Sequence, residues 1–255
     1  MPRLLCDRMW NKLHAGEFCK GIHLSSSDMT LYELAAISGI DYVWIDTEHA
    51  AVNKESVLNG MMVLQANNVS AIVRVPSCDP IIVKTYLDNG ADGIVFPMIN
   101  TAEEARIAVE ACRYAPLGIR GFGPRRCYDY GDMKAAEQVE YANKYVMPIV
   151  QIEHYKAVEN LDEILSVEGV EYAVIGPMDL SLSVGKVGQL EDPEVKGMLE
   201  TIFRKCKEHN VKVGVSSGPN RRLYDRSREL GADFISIGNP CSYLKYGIEQ
   251  WLFND

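Results

Sequence analysis

Eight short runs of apolar residues, each continuous rather than alternating, do most to limit how this chain can fold. They cover residues 18–24, 42–46, 71–75, 93–97, 148–153, 172–176, 212–216 and 233–238. A strand that is apolar on both faces must be covered on both faces, which points to a parallel sheet. Parallel neighbours need crossover connections, and stretches of helical periodicity lie between the runs. Ala105, Ala108, Val109 and Cys112 recur three or four apart, as do Val195, Met198, Leu199, Ile202, Phe203 and Cys206, giving each stretch one apolar stripe. Thr30-x-x-Glu33 and Thr101-x-x-Glu104 read as capping boxes, and Asp79-Pro80 and Asp192-Pro193 as N-caps before a first-turn proline. Gly39, Gly90, Gly169 and Gly231 read as helix stops. Eight such units within 255 residues predict one α/β domain, a single (β/α)8 TIM barrel over residues 1–255.

Composition narrows the function. The net charge is −9, and the pair Arg125-Arg126 is too short to form the basic footprint that a nucleic-acid partner needs. No apolar run approaches the roughly 18 residues of a membrane span. The stretch Met1–Asp7 lacks the apolar core of a secretory signal, so the expected location is the cytoplasm. Seven cysteines, odd in number and without a Cys-x-x-Cys pair, argue against a disulfide framework and a zinc ribbon. They read mostly as small buried hydrophobes.

Chemically loaded residues follow the apolar runs. Residues 42–45 lead into Asp46-Thr47-Glu48-His49, residues 71–73 into Arg74, residues 148–152 into Glu153, and residues 172–175 into Gly176-Pro177-Met178-Asp179. In a parallel barrel all these ends open on one face, where such folds build their sites. Glu153 and Asp179, ending strands five and six, suit one hard cation that keeps open positions for water or substrate oxygens, as Mg²⁺ does. The bland alternatives are a Glu153–Lys156 ion pair and an Asp179 that caps the next helix. His49, three residues after Asp46, suits a general base oriented by a carboxylate. It reads equally as a solvent-facing histidine beside a capping Asp46.

Arg74 ends a buried strand and needs an anionic partner. A substrate carboxylate would fit its planar fork, as would Asp46 or Asp88. Gln151 shares a barrel face with Glu153 by alternation, to bond a keto oxygen or to fill the core. His154 reads as a surface histidine, or as outer support for Glu153. The stretch from Pro116 to Arg126 carries Arg120, Arg125 and Arg126 but lacks the Gly-Lys-Ser/Thr of a phosphate loop. It reads as a lid, an anion clamp or a solvated loop. The segment 113–147 is longer than one βα loop requires and is expected near the active site. No lysine ends a strand, since Lys20 and Lys212 fall early in theirs, which disfavours Schiff-base chemistry.

Along nearly its whole length the chain resembles the HpcH/HpaI family of class II, metal-dependent pyruvate aldolases. The motifs are Asp46-Thr47-Glu48-His49-Ala50, Val73-Arg74-Val75-Pro76, Leu87-Asp88-Asn89-Gly90-Ala91, Arg113-Tyr114-Ala115-Pro116-Leu117-Gly118-Ile119-Arg120-Gly121, Val150-Gln151-Ile152-Glu153 and the run from Gly169 to Ser181. The resemblance implies a TIM barrel of the phosphoenolpyruvate/pyruvate-domain type. It implies Glu153 and Asp179 as ligands of a divalent metal ion, Mg²⁺ first, with Mn²⁺ or Co²⁺ as substitutes. Arg74 would hold the pyruvyl carboxylate, with Gln151 beside the keto acid and the backbone around Gly176, Pro177, Met178 and Asp179 completing that pocket. His49, oriented by Asp46, would handle protons through a bound water. Asp88 matches a polar site residue and, lying on a helix, would serve its own or a neighbouring subunit's pocket.

The implied reaction is reversible aldol cleavage of a 4-hydroxy-2-oxo acid to pyruvate and an aldehyde, in a homo-oligomer, a trimer or a hexamer. Departures from the family pattern are Met178 at a position often small, Gly123-Pro124-Arg125-Arg126 with Tyr128 and Tyr130, and Gly238-Asn239-Pro240 near the end. They bear on the aldehyde rather than on the reaction. The rivals are a coenzyme A-thioester lyase of the malyl or citramalyl type, which coenzyme A-dependent turnover would reveal, and a non-catalytic barrel that binds a keto acid.

Overall fold

The computed structural model describes residues 4–253. Residues 1–3, the start of the stretch read above for a secretory signal, lie outside the described residues. Eight parallel strands run β1 (Cys19–Leu24), β2 (Tyr42–Asp46), β3 (Ser70–Arg74), β4 (Gly93–Phe96), β5 (Met147–Ile152), β6 (Tyr172–Ile175), β7 (Lys212–Ser216) and β8 (Phe234–Ser236). Each pairs with the next, and β8 closes on β1. The barrel read from the sequence is therefore the fold, with strand bounds displaced by no more than a residue or two.

The helices are α1 (Arg8–His14), α2 (Met29–Ile37), α3 (Lys54–Ala66), α4 (Pro80–Asp88), α5 (Ala102–Cys112), α6 (Ala135–Tyr145), α7 (Tyr155–Glu159), α8 (Leu161–Leu165), α9 (Pro177–Ser183), α10 (Pro193–Glu208), α11 (Arg221–Glu229) and α12 (Pro240–Phe253). Thr101 and Glu104 form the reciprocal capping box expected of them, and Asp79 and Asp192 cap α4 and α10 before proline. Thr30 does not cap. Asp28, two residues earlier, accepts the Thr30 N–H and starts α2. The four glycine stops all adopt left-handed backbone, with φ between 79° and 100°.

Two apolar layers follow. Tyr42, Trp44, Ile72, Val95, Met147, Ile149, Tyr172, Val174 and Phe234 fill the barrel, and Met9 and Leu13 of α1 pack beneath them. The outer strand faces bury Val43, Ile45, Val73, Phe96, Val150, Ile152 and Ile175 against the helices. Cys6, Cys19, Cys112, Cys127 and Cys206 are buried, Cys78 is half-buried and Cys241 is exposed, and all seven are free thiols. Among the described residues, no helix is long and apolar enough to cross a membrane.

The segment 113–147 corrects an expectation. It joins α5 to β5, so it must return to the strand N-termini, the end opposite the mouth of its own barrel. It is not one long loop either, because a 3₁₀ turn (Arg126–Gly131) and α6 lie within it. Arg126 is buried there, bonded to Gln65 and to the Leu4 carbonyl (2.9 Å). Arg120 is buried against Asp88 (3.2 Å), with its guanidinium 4.5 Å from the Tyr114 ring. Two of the three loop arginines thus pin this segment to the barrel, and only Arg125 is exposed.

Candidate active site

The β2 and β3 ends are in register, with Asp46 opposite Arg74. That pairing decides the partner of Arg74. Its Nε donates to Asp46 Oδ1 (3.0 Å) and its Nη2 to Oδ2 (2.8 Å), a bidentate fork. Glu48 Oε2 lies 3.1 Å from the same Nε. Nη1 has no hydrogen-bond partner among the described residues. The guanidinium also lies 5.2 Å from the Trp44 ring centre. Thr47 locks the turn after β2, its N–H and hydroxyl both donating to the Arg74 carbonyl (3.1 and 2.6 Å). Burial alone would raise Asp46, but the bonds and charge of Arg74 overturn that and hold its carboxyl below the usual value.

Asp46 does not orient the His49 ring. Its Oδ1 instead accepts the backbone N–H groups of Glu48 (3.1 Å) and His49 (3.4 Å). The imidazole Nε2 lies 3.5 Å from Glu48 Oε2, and the His49 side chain is 67% exposed. Glu48, which had no role on sequence grounds, therefore stands between the guanidinium and the imidazole. Burial raises its pKa against the pull of Arg74.

Across the mouth, Glu153 follows β5 and is buried. Its Oε1 accepts the Met98 N–H (2.8 Å), and Gln151 Nε2 donates to its Oε2. Burial, with the charges of Asp179 and Glu48 adding, pushes Glu153 up to about 7 against the Met98 hydrogen bond. Lys156 does not pair with it: the Lys156 N–H donates to His154 Nδ1 (3.2 Å), and His154 caps α7. Gln151 Oε1 is buried without a partner. Gly176 makes room for this carboxylate, since a Cβ there would stand 2.6 Å from Glu153 Oε2. Asp179 lies in the first turn of α9 and caps nothing, and both it and Met178 are exposed.

These groups fit a hard divalent cation. Two carboxylates, one just after β5 and one in the first turn of α9, share one mouth, the first raised by burial and then by its neighbours' charge, with an orphaned amide oxygen beside it. Among the described residues, no group of three or more His, Cys, Asp or Glu is set as a closed metal cage. A two-carboxylate set is what Mg²⁺ takes when water and substrate complete its octahedron.

Asp88 is not with them. It ends α4 at the strand N-termini, where its carboxylate meets Arg120 and its carbonyl accepts the Arg125 N–H (3.0 Å). Burial raises its pKa against the Arg120 charge. The expected site residues thus divide between opposite ends of one barrel. Asp46, His49, Arg74, Gln151, Glu153, Gly176, Pro177, Met178 and Asp179 share the mouth; Asp88 lies at the base, where Arg120 and Arg126 are also buried.

Comparison with known proteins agrees with the fold. The "4-hydroxy-2-oxo-heptane-1,7-dioate aldolase" of Klebsiella pneumoniae is 35% identical over 237 residues, 93% of this chain and 89% of that one. The HpcH/HpaI aldolase structure from Desulfitobacterium hafniense superposes with a TM-score of 0.91 at 32% identity, covering 96% of this chain and 95% of that one. The structure of the citrate synthase SbnG superposes with a TM-score of 0.87 at 27% identity, covering 97% of each chain. The family model for HpcH/HpaI aldolase/citrate lyase matches residues 20–242, and the chain belongs to that family of carbon–carbon lyases.

Proposed function

We propose that this protein is a metal-dependent pyruvate aldolase that cleaves a 4-hydroxy-2-oxo acid reversibly to pyruvate and an aldehyde. The observation that carries the reading is the buried Glu153 carboxylate, cradled by Gly176, Gln151 and the Met98 amide, across one mouth from the Arg74–Asp46 fork. Glu153 and Asp179 would hold the cation, Mg²⁺ by the chemistry of the donors, with Mn²⁺ or Co²⁺ able to replace it. When bound, such a cation supplies Lewis-acid stabilisation of the negative charge that develops on the 2-oxo oxygen.

The chain's own groups do the rest. Arg74 offers its free Nη1 to the substrate carboxylate while Asp46 fixes the guanidinium plane, so the keto acid is oriented before bond cleavage. The first-turn amides of α9, at Met178 and Asp179, have no intrahelical acceptor and face the same carboxylate. Gln151 donates to Glu153 and keeps that carboxylate aimed at the mouth. His49 takes the 4-hydroxyl proton as the C3–C4 bond breaks and its electron pair passes to C3, which then takes a proton from water to give pyruvate; in the synthetic direction C3 loses that proton and His49 returns its own to the new 4-hydroxyl. Glu48, 3.5 Å from its ring, steadies the imidazolium that forms.

The site is completed by a neighbouring copy. His49 is open to its surroundings, whereas Asp88 and the segment 113–147 stand at the far end of their own barrel. Leu117, Ile119, Phe122 and Tyr130 of that segment are exposed, as are Leu244, Tyr246, Ile248, Trp251 and Leu252 of α12, Trp251 at 89%. Apolar surface of this extent asks for cover. Assembly into a homo-oligomer covers it and brings Asp88 of one copy toward the mouth of the next.

The test is exchange of the pyruvate methyl protons with D₂O, followed by NMR. Mg²⁺-loaded protein exchanges them. Chelation, Glu153→Ala and Asp179→Ala each abolish exchange with the fold retained by circular dichroism. Binding of pyruvate without exchange in the parent protein contradicts the aldolase reading.

A further inference from the structure

Three strands close the side of the mouth that the keto acid leaves unassigned. Side-chain direction there is fixed by close contacts. A Cβ on Gly21 would lie 2.4 Å from the Tyr42 ring, and one on Gly214 would lie 2.1 Å from the Phe234 ring. Both rings fill the barrel interior. Side chains two residues further along a strand face the same way. His23 on β1, Ser216 on β7 and Ser236 on β8 therefore point inward, one layer nearer the mouth. Ser216 is in register with Ser236, and Ser236 with Gly21, so the three form a continuous arc.

Ser236 Oγ lies 2.7 Å from His23 Nδ1, and the His23 ring centre lies 4.4 Å from that of Trp44, the residue beneath Arg74. The Ser216 hydroxyl has no hydrogen-bond partner among the described residues, the His23 ring also meets the Gly238 backbone, and both residues are only partly buried. Ser217 differs, its hydroxyl turned back to the carbonyls of Gly218 (3.0 Å) and Ser236 (3.1 Å). Burial, and then the charge of Arg74, push His23 down to about 4, so its imidazole is neutral near pH 7.

One neutral imidazole, oriented by the buried Ser236 hydroxyl, and the open Ser216 hydroxyl offer donors and acceptors together and no net charge. A substrate hydroxyl, which both donates and accepts, satisfies such an arc. A carboxylate gains no charge partner from it. An alkyl chain leaves its polar atoms unpaired, which is how a hydrogen-bonding site rejects deoxy analogues.

We propose that His23 and Ser216 are specificity-determining residues that bind a hydroxyl group on the carbon chain beyond the keto acid, with the buried Ser236 as the positioning residue that orients the imidazole, so that the aldehyde partner is a hydroxyaldehyde. The inference rests on the keto-acid reading above, which fills the β3, β5 and β6 side of the mouth and leaves this side to the remainder of the substrate.

The test compares glyceraldehyde, propanal and succinic semialdehyde as acceptors for pyruvate with the Mg²⁺-loaded protein. The kcat/KM for glyceraldehyde exceeds that for propanal at least about tenfold, the worth of one hydrogen bond or more. His23→Phe, Ser216→Ala and Ser236→Ala each move that ratio toward one. The two serine variants remove single hydroxyls and carry the test if His23→Phe fails to fold. A parent preference for propanal or succinic semialdehyde, or a ratio unmoved in the folded variants, overturns the proposal. Pyruvate exchange with D₂O needs no aldehyde and separates the two failures. Exchange without hydroxyl preference removes this inference alone, and absence of exchange removes the keto-acid reading together with it.

Discussion

Gly176→Ala perturbs the proposed cation site without touching a functional atom. Gly176 has φ −97° and ψ 87°, so an alanine meets no left-handed strain there. The cost is contact. The new Cβ would stand 2.6 Å from Glu153 Oε2, 2.9 Å from Glu153 Cβ and 3.0 Å from Gln151 Nε2. Ordinary contact begins at 3.4 Å, so the carboxylate oxygen must retreat by about 0.8 Å. It is pinned from the other side by the Met98 N–H at 2.8 Å, and retreat breaks that bond or the one from Gln151. Overpacking of this kind costs about 1–3 kcal/mol, and each kcal/mol lowers Tm by roughly 2–4 °C in a chain of this size. A carboxylate moved by close to 1 Å loses about 10–100-fold in cation affinity and a similar factor in rate. Calorimetric titration with Mg²⁺ or Mn²⁺, a thermal melt and the pyruvate exchange assay read all three. A variant that loses stability yet binds the cation within twofold of the parent refutes the role given to Glu153. A variant unchanged in both refutes the packing argument.

Other outcomes follow from the same geometry. Gly197→Ala, on an exposed turn of α10 where nothing lies within 4 Å of the added Cβ, stabilises by roughly 0.5–1 kcal/mol in urea unfolding. Arg74→Lys keeps the charge but loses the fork on Asp46, and raises the KM for the keto acid about 10–100-fold in steady-state kinetics. His23 has a folded pKa near 4, below its usual 6.5, so the unfolded chain takes up a proton first as pH falls. Its stabilising contribution is present above pH 6.5 and is lost as pH falls from 6.5 through about 4. His23→Phe flattens the stability profile in that window by up to about 1.4 kcal/mol per pH unit, measured by urea unfolding. Leu244→Glu with Trp251→Glu on α12 converts an oligomeric parent to the 28.5 kDa monomer in light scattering.

The barrel was legible because buried parallel strands read as unbroken apolar runs, and only their last residues wandered. Glu153 and Arg74 were legible for the converse reason, as charges placed where a chain otherwise buries hydrocarbon. The Asp46–His49 spacing left two readings open because three-residue spacing after a strand says nothing of side-chain direction. Arg74, level with Asp46 on the neighbouring strand, competes for the carboxylate and wins. Glu48 lay inside the motif but had no distinguishing period. The Met98 amide was invisible, since a backbone donor carries no sequence signal. The segment 113–147 was expected near the active site from its length, which does not say whose. Its order, after a helix and before a strand, already placed it at the base. His23 looked isolated because its partner Ser236 is 213 residues away and becomes a neighbour only when β8 closes on β1.

Glu153 and Asp179 are proposed to hold a divalent cation facing Arg74. Anomalous diffraction from a crystal grown with Mn²⁺ and pyruvate tests it most directly. One strong peak is expected roughly 2.1 Å from a carboxylate oxygen of each residue, the spacing of a small octahedral cation, with the pyruvate carboxylate on Arg74. A peak held by Asp88 at the barrel base, or pyruvate bound at the mouth with no peak between Glu153 and Asp179, contradicts it.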